Sequence, residues 1–137
     1  MTIQYRATTR DAKLNAIETN AGNSCKFRIY SGAQPANCAA ANGGGTMICE
    51  FNLPADYFNA ASSGSMTKLG TWSGTAAAGA VAGHFRIYAS QATMDGSTCF
   101  MQGSIGQGSG DLSLDNTTIA NGQTVTINTF TINDNNP

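Results

Sequence analysis

Charge is scarce in this chain. Lys, Arg, Asp and Glu make up 11% of its 137 residues, seven basic against eight acidic, for a formal net charge of -1; about 25% charged residues is usual. The shortage excludes nucleic-acid binding by counterion release, which needs several clustered cations. It also excludes disorder driven by high net charge. His84 is the only histidine, and no Gly-x-Ser-x-Gly element accompanies it, so a nucleophile, base and orienting group cannot be assembled from recognisable motifs. The four cysteines, Cys25, Cys38, Cys49 and Cys99, contain no C-x-x-C pair, which removes the close ligand spacing of a structural zinc site. No run approaches the ~18–20 apolar residues of a membrane-spanning helix. Residues 1–6, Met-Thr-Ile-Gln-Tyr-Arg, hold no apolar stretch like the core of a signal peptide. That predicts a chain that stays in the compartment where it is made, with its cysteines as free thiols.

The few acids are poorly placed for chemistry. Asp11, Asp95, Asp111, Asp115 and Asp134 fall in expected caps, turns or tail, whereas glycoside hydrolysis needs two carboxyl groups paired across a cleft. Glu50 is the one acid on an expected strand, where an ion pair with Arg28 or Lys26 is its natural role. Gly43-Gly44-Gly45 and the glycine-rich stretch 103–110 lack the Lys-Ser/Thr ending of a phosphate loop. Asp111, Asp115 and Asn116 do not match calcium-loop spacing. The expectation is a protein without cofactor or metal and without enzymatic activity.

What the chain does have is Thr, Asn, Ser, Gln and Gly in a length suited to one domain. A short helix is expected in an N-terminal segment, residues 1–22. Thr8 or Thr9 is its candidate cap, Ala12, Leu14, Ala16 and Ile17 supply helix formers, and Asn20-Ala21-Gly22 is a stop. Its narrow apolar stripe predicts a helix lying on the body rather than forming a core. Residues 23–137 are the body. There the period becomes two: Cys25, Phe27 and Ile29 alternate with Lys26, Arg28 and Tyr30, and Met47, Cys49, Phe51 and Leu53 with Ile48, Glu50 and Asn52. Antiparallel pairing puts Cys25, Phe27, Cys49 and Phe51 on one inner face. Between Pro54 and Gly83 the signals thin out. Met66, Leu69 and Trp72 mark one or two short strands, and the Ala-rich run from Thr75 to Ala80, broken by Gly74, Gly79 and Gly83, reads as extended rather than helical.

His84-Phe85-Arg86-Ile87-Tyr88 then repeats Lys26-Phe27-Arg28-Ile29-Tyr30, and each copy precedes a polar loop and a strand containing cysteine. An internal two-fold arrangement is the expectation, with Phe27 and Phe85 as core anchors and His84 on the outer face beside Arg86 and Tyr88. Asp111 to Asp115 alternates, Asn121-Gly122 is a turn, and the change of parity between Val125/Ile127 and Phe130/Ile132 predicts a β-bulge at Asn128-Thr129. Some seven to nine strands with turn signals every ~8–12 residues describe an antiparallel β-sandwich or jelly-roll with one short N-terminal helix.

One family is similar along most of the chain, roughly residues 8–132. The segments that carry the likeness are Thr9-Arg10-Asp11-Ala12-x-Leu14, Phe27-Arg28-Ile29-Tyr30-Ser31-Gly32, His84 to Tyr88, Cys99-Phe100-Met101-Gln102-Gly103-Ser104 and the closing Asn-Gly-Gln-Thr-Val-Thr-Ile. Their order resembles small structural proteins of tailed bacteriophages, and in particular the jelly-roll capsid cement (decoration) proteins that clamp neighbouring major capsid subunits. The resemblance implies a place on the capsid exterior of the virion after assembly in the host cytoplasm, binding to the major capsid protein, and self-association as a homodimer or homotrimer. It implies no nucleic-acid or membrane partner and carries no catalytic residues. Tyr5, Arg6 and Arg10, which precede the first strand, and Trp72 are the candidate capsid-interface residues. The alternative is a tail or baseplate module binding a receptor or carbohydrate, for which Trp72 and Tyr57 would supply the stacking surface.

Overall fold

The computed structural model describes residues 2–42 and 44–136; Gly43, first of the glycine run, lies outside them. One helix, α1 (Ala7–Ala21), precedes ten strands: β1 (Lys26–Ser31), β2 (Met47–Asn52), β3 (Ser65–Thr67), β4 (Trp72–Thr75), β5 (Ala80–Tyr88), β6 (Cys99–Gly106), β7 (Leu112–Ser113), β8 (Thr118–Ile119), β9 (Thr124–Ile127) and β10 (Thr131–Asn133). The main sheet runs β2-β1-β5-β6-β7, with β8 paired to the start of β5. Every pairing is antiparallel except β6 with β7. Two further two-stranded pairs, β3-β10 and β4-β9, lie across the inner face of the main sheet. The expected antiparallel sandwich with one N-terminal helix is the fold the chain adopts.

Aromatic rings join the two layers. On the main sheet Phe27 stacks on Phe51 at 5.1 Å and on Phe85 at 5.4 Å between ring centroids. From the opposing layer Trp72 meets Phe27 at 5.8 Å, and Phe130 meets Phe85 edge-on at 5.4 Å. Tyr57 and Phe58, on the connection between β2 and β3, close the side of the same cluster. Offset and edge-to-face rings each add to the burial of their apolar area. Phe27 and Phe85 are 0% and 1% exposed, as expected of core anchors. Cys25 and Cys49 are fully buried and free.

The repeated pentapeptide does more than recur. Its two copies pair with each other, with Phe27 opposite Ile87, Arg28 opposite Arg86 and Ile29 opposite Phe85. The pseudo-two-fold axis therefore passes between Arg28 and Arg86. It carries the outer strands with it, since Glu50 lies opposite Arg28 as Gln102 lies opposite Arg86, and both outer pairings shift register after the isoleucine. On the inner face the related phenylalanines stack; on the other face the related tyrosines, Tyr30 and Tyr88, share a 2.9 Å hydrogen bond between hydroxyls. The cysteines do not obey this symmetry. Cys49 faces inward opposite Ile29, whereas Cys99 stands opposite Tyr88 where the first copy has Met47.

Two local expectations are corrected. The helix starts at Ala7, behind Arg6 and without a side-chain cap, rather than at Thr8 or Thr9; tertiary ties on Tyr5, described below, fix the chain's entry. Its stop is as expected, because Gly22 takes a positive φ of 81° that glycine adopts without a Cβ clash, and its N–H donates to Glu18 O. The parity change after Ile127 is not a bulge within one strand. The chain passes from β9, paired to β4, to β10, paired to β3, so each half follows its own partner. Asn121-Gly122 is a turn, as expected; β8 before it pairs with β5 and β9 after it with β4.

Candidate functional site

Residues 2–6, ahead of the helix, have no regular secondary structure and are held at their base. The Asn136 side-chain amide grips the Tyr5 backbone from both directions, accepting from Tyr5 N at 2.9 Å and donating to Tyr5 O at 2.8 Å. Lys13 sets its ammonium over the Tyr5 ring and pairs with Asp134 at 2.7 Å. Arg10 donates to Asp134 O at 3.0 Å, so it is a structural clamp between the helix and the tail. Arg6 is exposed, and its carbonyl accepts from Thr9 N and Arg10 N at the helix start. Beyond the clamp, Ile3 is 73% and Tyr5 44% exposed. With Val81 they are the large apolar side chains left in solvent among the described residues.

Trp72 does not belong with them. It is fully buried between the layers, and its indole N–H donates to Leu69 O at 3.0 Å. Neither a capsid subunit nor a sugar can reach it. Tyr57 is equally buried; its hydroxyl donates to Gly22 O at 3.1 Å and accepts from the Cys25 thiol, and burial raises its pKa well above the ordinary tyrosine range. The aromatic pair proposed for carbohydrate stacking is core.

The helix is fixed by a stripe that the sequence reading missed. Glu18 Oε1 accepts from Tyr57 N at 2.7 Å, Asn15 Oδ1 from Ala61 N at 2.8 Å, and Asp11 Oδ1 from Gly64 N at 2.7 Å. Positions 11, 15 and 18 share one helix face. They supply acceptors to the irregular backbone before β3, whose N–H groups would otherwise lack partners. The recoverable signal was three short-range acceptors at i, i+4 and i+7 beside the apolar line of Leu14, Ile17 and Ala21.

The outer face of the main sheet was expected to be open, with His84 exposed. It is covered instead. Residues 32–42, in the connection between β1 and β2, fold back over it, leaving His84 1% and Arg86 0% exposed. Arg86 Nη2 donates to Cys38 O at 2.6 Å and Ala40 O at 3.0 Å, while Gln102 donates to Pro35 O at 2.7 Å. His84 stacks on Tyr30 at 5.2 Å, with Nδ1 2.9 Å from Gly32 O and Nε2 3.0 Å from Asn42 Oδ1. Burial, aided by the Arg86 charge, holds the imidazole below its ordinary pKa against the opposing pull of the Gly32 carbonyl. The neutral ring fits when Nδ1–H donates to Gly32 O and the Asn42 amide turns its nitrogen toward Nε2.

At the open rim of this face, Arg28 meets Glu50 at 2.7 Å and Lys26 lies 3.5 Å from the same carboxylate, as expected. These cations hold the Glu50 carboxyl below its ordinary pKa although partial burial pushes the other way. Tyr88, between the two arginine guanidiniums and bonded to Tyr30, has its pKa raised chiefly by burial. Away from this face, Asp111 Oδ2 accepts from Ser104 N and Oγ, each at 2.8 Å, and pins a loop. Among the described residues no three of His, Cys, Asp and Glu converge on a metal-sized point.

The sites thus divide in two: a clamped arm presenting Ile3 and Tyr5, and a buried polar layer that holds a loop on a sheet. No family model, curated protein or solved structure matches the chain.

Proposed function

We propose that the protein is a structural component of a tailed-bacteriophage virion, a cement protein that binds the major capsid protein on the capsid exterior and stabilises the head. It is not an enzyme, and it acts through its N-terminal arm. The observation that carries the reading is the exposure of Ile3 and Tyr5 on a segment without regular secondary structure whose base is anchored by Asn136. An anchored arm loses less freedom on docking than a free tail, yet each arm still offers a small contact. Homodimers or homotrimers, with two or three arms reaching one lattice, gain through effective concentration what each contact lacks. The low net charge makes attachment less dependent on ionic strength than charge-steered binding.

Arg10 and Trp72 are engaged internally, which leaves Ile3, Tyr5 and Arg6 as the contact set. The test is a double variant, Ile3→Ser with Tyr5→Ser, that leaves the backbone clamp to Asn136 in place. It is added beside the full chain to capsids prepared without the protein, and bound copies and heat resistance of the heads are measured. The expected result is saturable decoration by the full chain and loss of decoration by the variant at unchanged thermal stability. Equal decoration by both overturns the arm. Failure of the full chain to bind heads, with binding to tails or host cells, replaces the cement reading by the tail-module one.

A further inference from the structure

The covered face of the main sheet brings two of the four cysteines together. Arg86 spans them: Nη2 donates to Cys38 O at 2.6 Å, and Nε donates to Cys99 Sγ at 3.3 Å. The Cys38 side chain lies close enough to Cys99 to help raise the pKa of its thiol. The loop before β6 closes the arrangement, because Gly96 packs against the Ala39 carbonyl too tightly to admit a Cβ. Cys38 is half-buried and reachable, Cys99 is buried beneath it, and both are free thiols. The other two cysteines are fully buried elsewhere, Cys25 against Tyr57 and Cys49 in the inner core.

We propose that Cys38 and Cys99 form a reversible disulfide, which locks residues 32–42 onto β6 when the protein meets a small-molecule disulfide such as oxidised glutathione. Exposure sets the order of events. The Cys38 thiol gives up its proton, and its thiolate attacks one glutathione sulfur. The glutathione S–S bond breaks, and the released glutathione thiolate takes a proton. The Cys99 thiol then loses its proton and attacks the Cys38 sulfur. The protein S–S bond forms as the mixed disulfide breaks and the second glutathione leaves as its thiol. Two protein thiols have given two hydrogens and two electrons to one disulfide, which becomes two thiols. Burial pushes the Cys99 thiol up to about 11 while the Arg86 charge opposes that rise, so the second displacement is the slower. The same exchange run backwards with a monothiol reopens the loop.

The experiment uses the full chain, incubated natively with oxidised glutathione and mapped by peptide mass spectrometry without reduction. The expected result is a single intramolecular link between the Cys38 and Cys99 peptides, with the loss of two hydrogens and with Cys25 and Cys49 still free. The melting temperature should rise by roughly 5–15 °C, the shift usual for a disulfide closing a long loop. Dithiothreitol should reverse the rise, and the Cys38→Ser variant, altered at a half-exposed position, should not show it. Cys38 carrying glutathione at equilibrium while Cys99 stays free overturns the proposal. So does a link between two chains, or a link that leaves the melting temperature unchanged.

Discussion

Arg28 and Arg86 occupy related positions in two copies of one strand motif, face each other across the same pair of strands, and live in different chemistry. Arg28 has Glu50 opposite it and keeps 19% of its side chain in solvent. Arg86 has Gln102 opposite it and none of its surface in solvent; its formal charge is met by the carbonyls of Cys38 and Ala40 and by the Cys99 sulfur. The positions before each phenylalanine diverge in the same sense. Lys26 sits at the rim beside Glu50, while His84 is enclosed under the connection and held neutral. A repeated motif thus sets backbone register and side-chain direction. What each residue does is decided by the neighbouring strand and by whichever loop folds over it.

The inner face allows the most damaging test of the two-fold. Phe27 stacks between Phe51 and Phe85, but the position related to Phe51 is Gly103, where a Cβ would come within 2.7 Å of the Phe85 ring. Phe85 fills that space itself. Phe27→Ala and Phe85→Ala should each destabilise the protein by ~3–5 kcal/mol, the range for a buried Phe, measured as loss of unfolding free energy in urea. Because Phe27 touches the aromatic cluster on both sides, its variant should stand at the upper end. A change below ~0.5 kcal/mol at either site is what a surface substitution gives and would contradict the register.

Next in size is the contrast between the arginines. Arg86→Met fills similar volume but leaves the Cys38 and Ala40 carbonyls without their charged donor, which should cost ~2–4 kcal/mol. Arg28→Met removes a partly solvated ion pair and should cost at most ~1 kcal/mol. Urea midpoints on the two variants measure the difference, and hydrogen exchange locates it. Faster exchange spreading through residues 32–42 is expected only for Arg86→Met. Equal destabilisation by the two substitutions would show that the loop is held by something other than Arg86.

These contrasts mark how far the sequence could be read. Alternation in Phe27-Arg28-Ile29 and Cys49-Glu50-Phe51 was enough to give the antiparallel pair, its inner face and the Glu50 ion pairs, because a period of two fixes which side each residue takes. The echo between residues 26–30 and 84–88 pointed to a two-fold but not to the direct pairing of its copies, since strand order depends on contacts far apart in sequence. His84 was placed on the correct face and given the wrong environment. Parity says which side of a sheet a residue occupies, but not whether a Gly- and Ala-rich connection will cover that side. Trp72 failed for a related reason, because a lone aromatic between weak signals has no periodic neighbours to show that it points inward. Of the candidate site, Tyr5 and Arg6 remain at the surface, while Arg10 is drawn into a clamp by Asp134, 124 positions away.

The smallest expected effect separates His84 from Lys26. A histidine held below its ordinary value of 6.5 in the folded protein binds its proton more readily when unfolded. Stability from this group is therefore fully present above pH 6.5 and is lost as pH falls from there toward the depressed folded value. The slope cannot exceed ~1.4 kcal/mol per pH unit, the ceiling for one proton. Carboxylates such as Glu50 add their own loss only nearer pH 4.5, so a titration from pH 7.5 to 5.5 isolates the imidazole. Arg86 and the Tyr30 ring are the groups that face it. Unfolding free energy should fall across the window in the native protein and in Lys26→Gln, and be flat in His84→Gln whatever that variant's absolute stability. Protonation should also force the Asn42 amide to turn its oxygen back to Nε2, visible as a shift of the Asn42 side-chain amide resonances over the same range. A native protein whose stability rises as pH falls from 7.5 to 5.5 would mean that His84 is charged in the fold, with Gly32 O and Asn42 Oδ1 as its two acceptors, and that the covered face is built to hold a second cation.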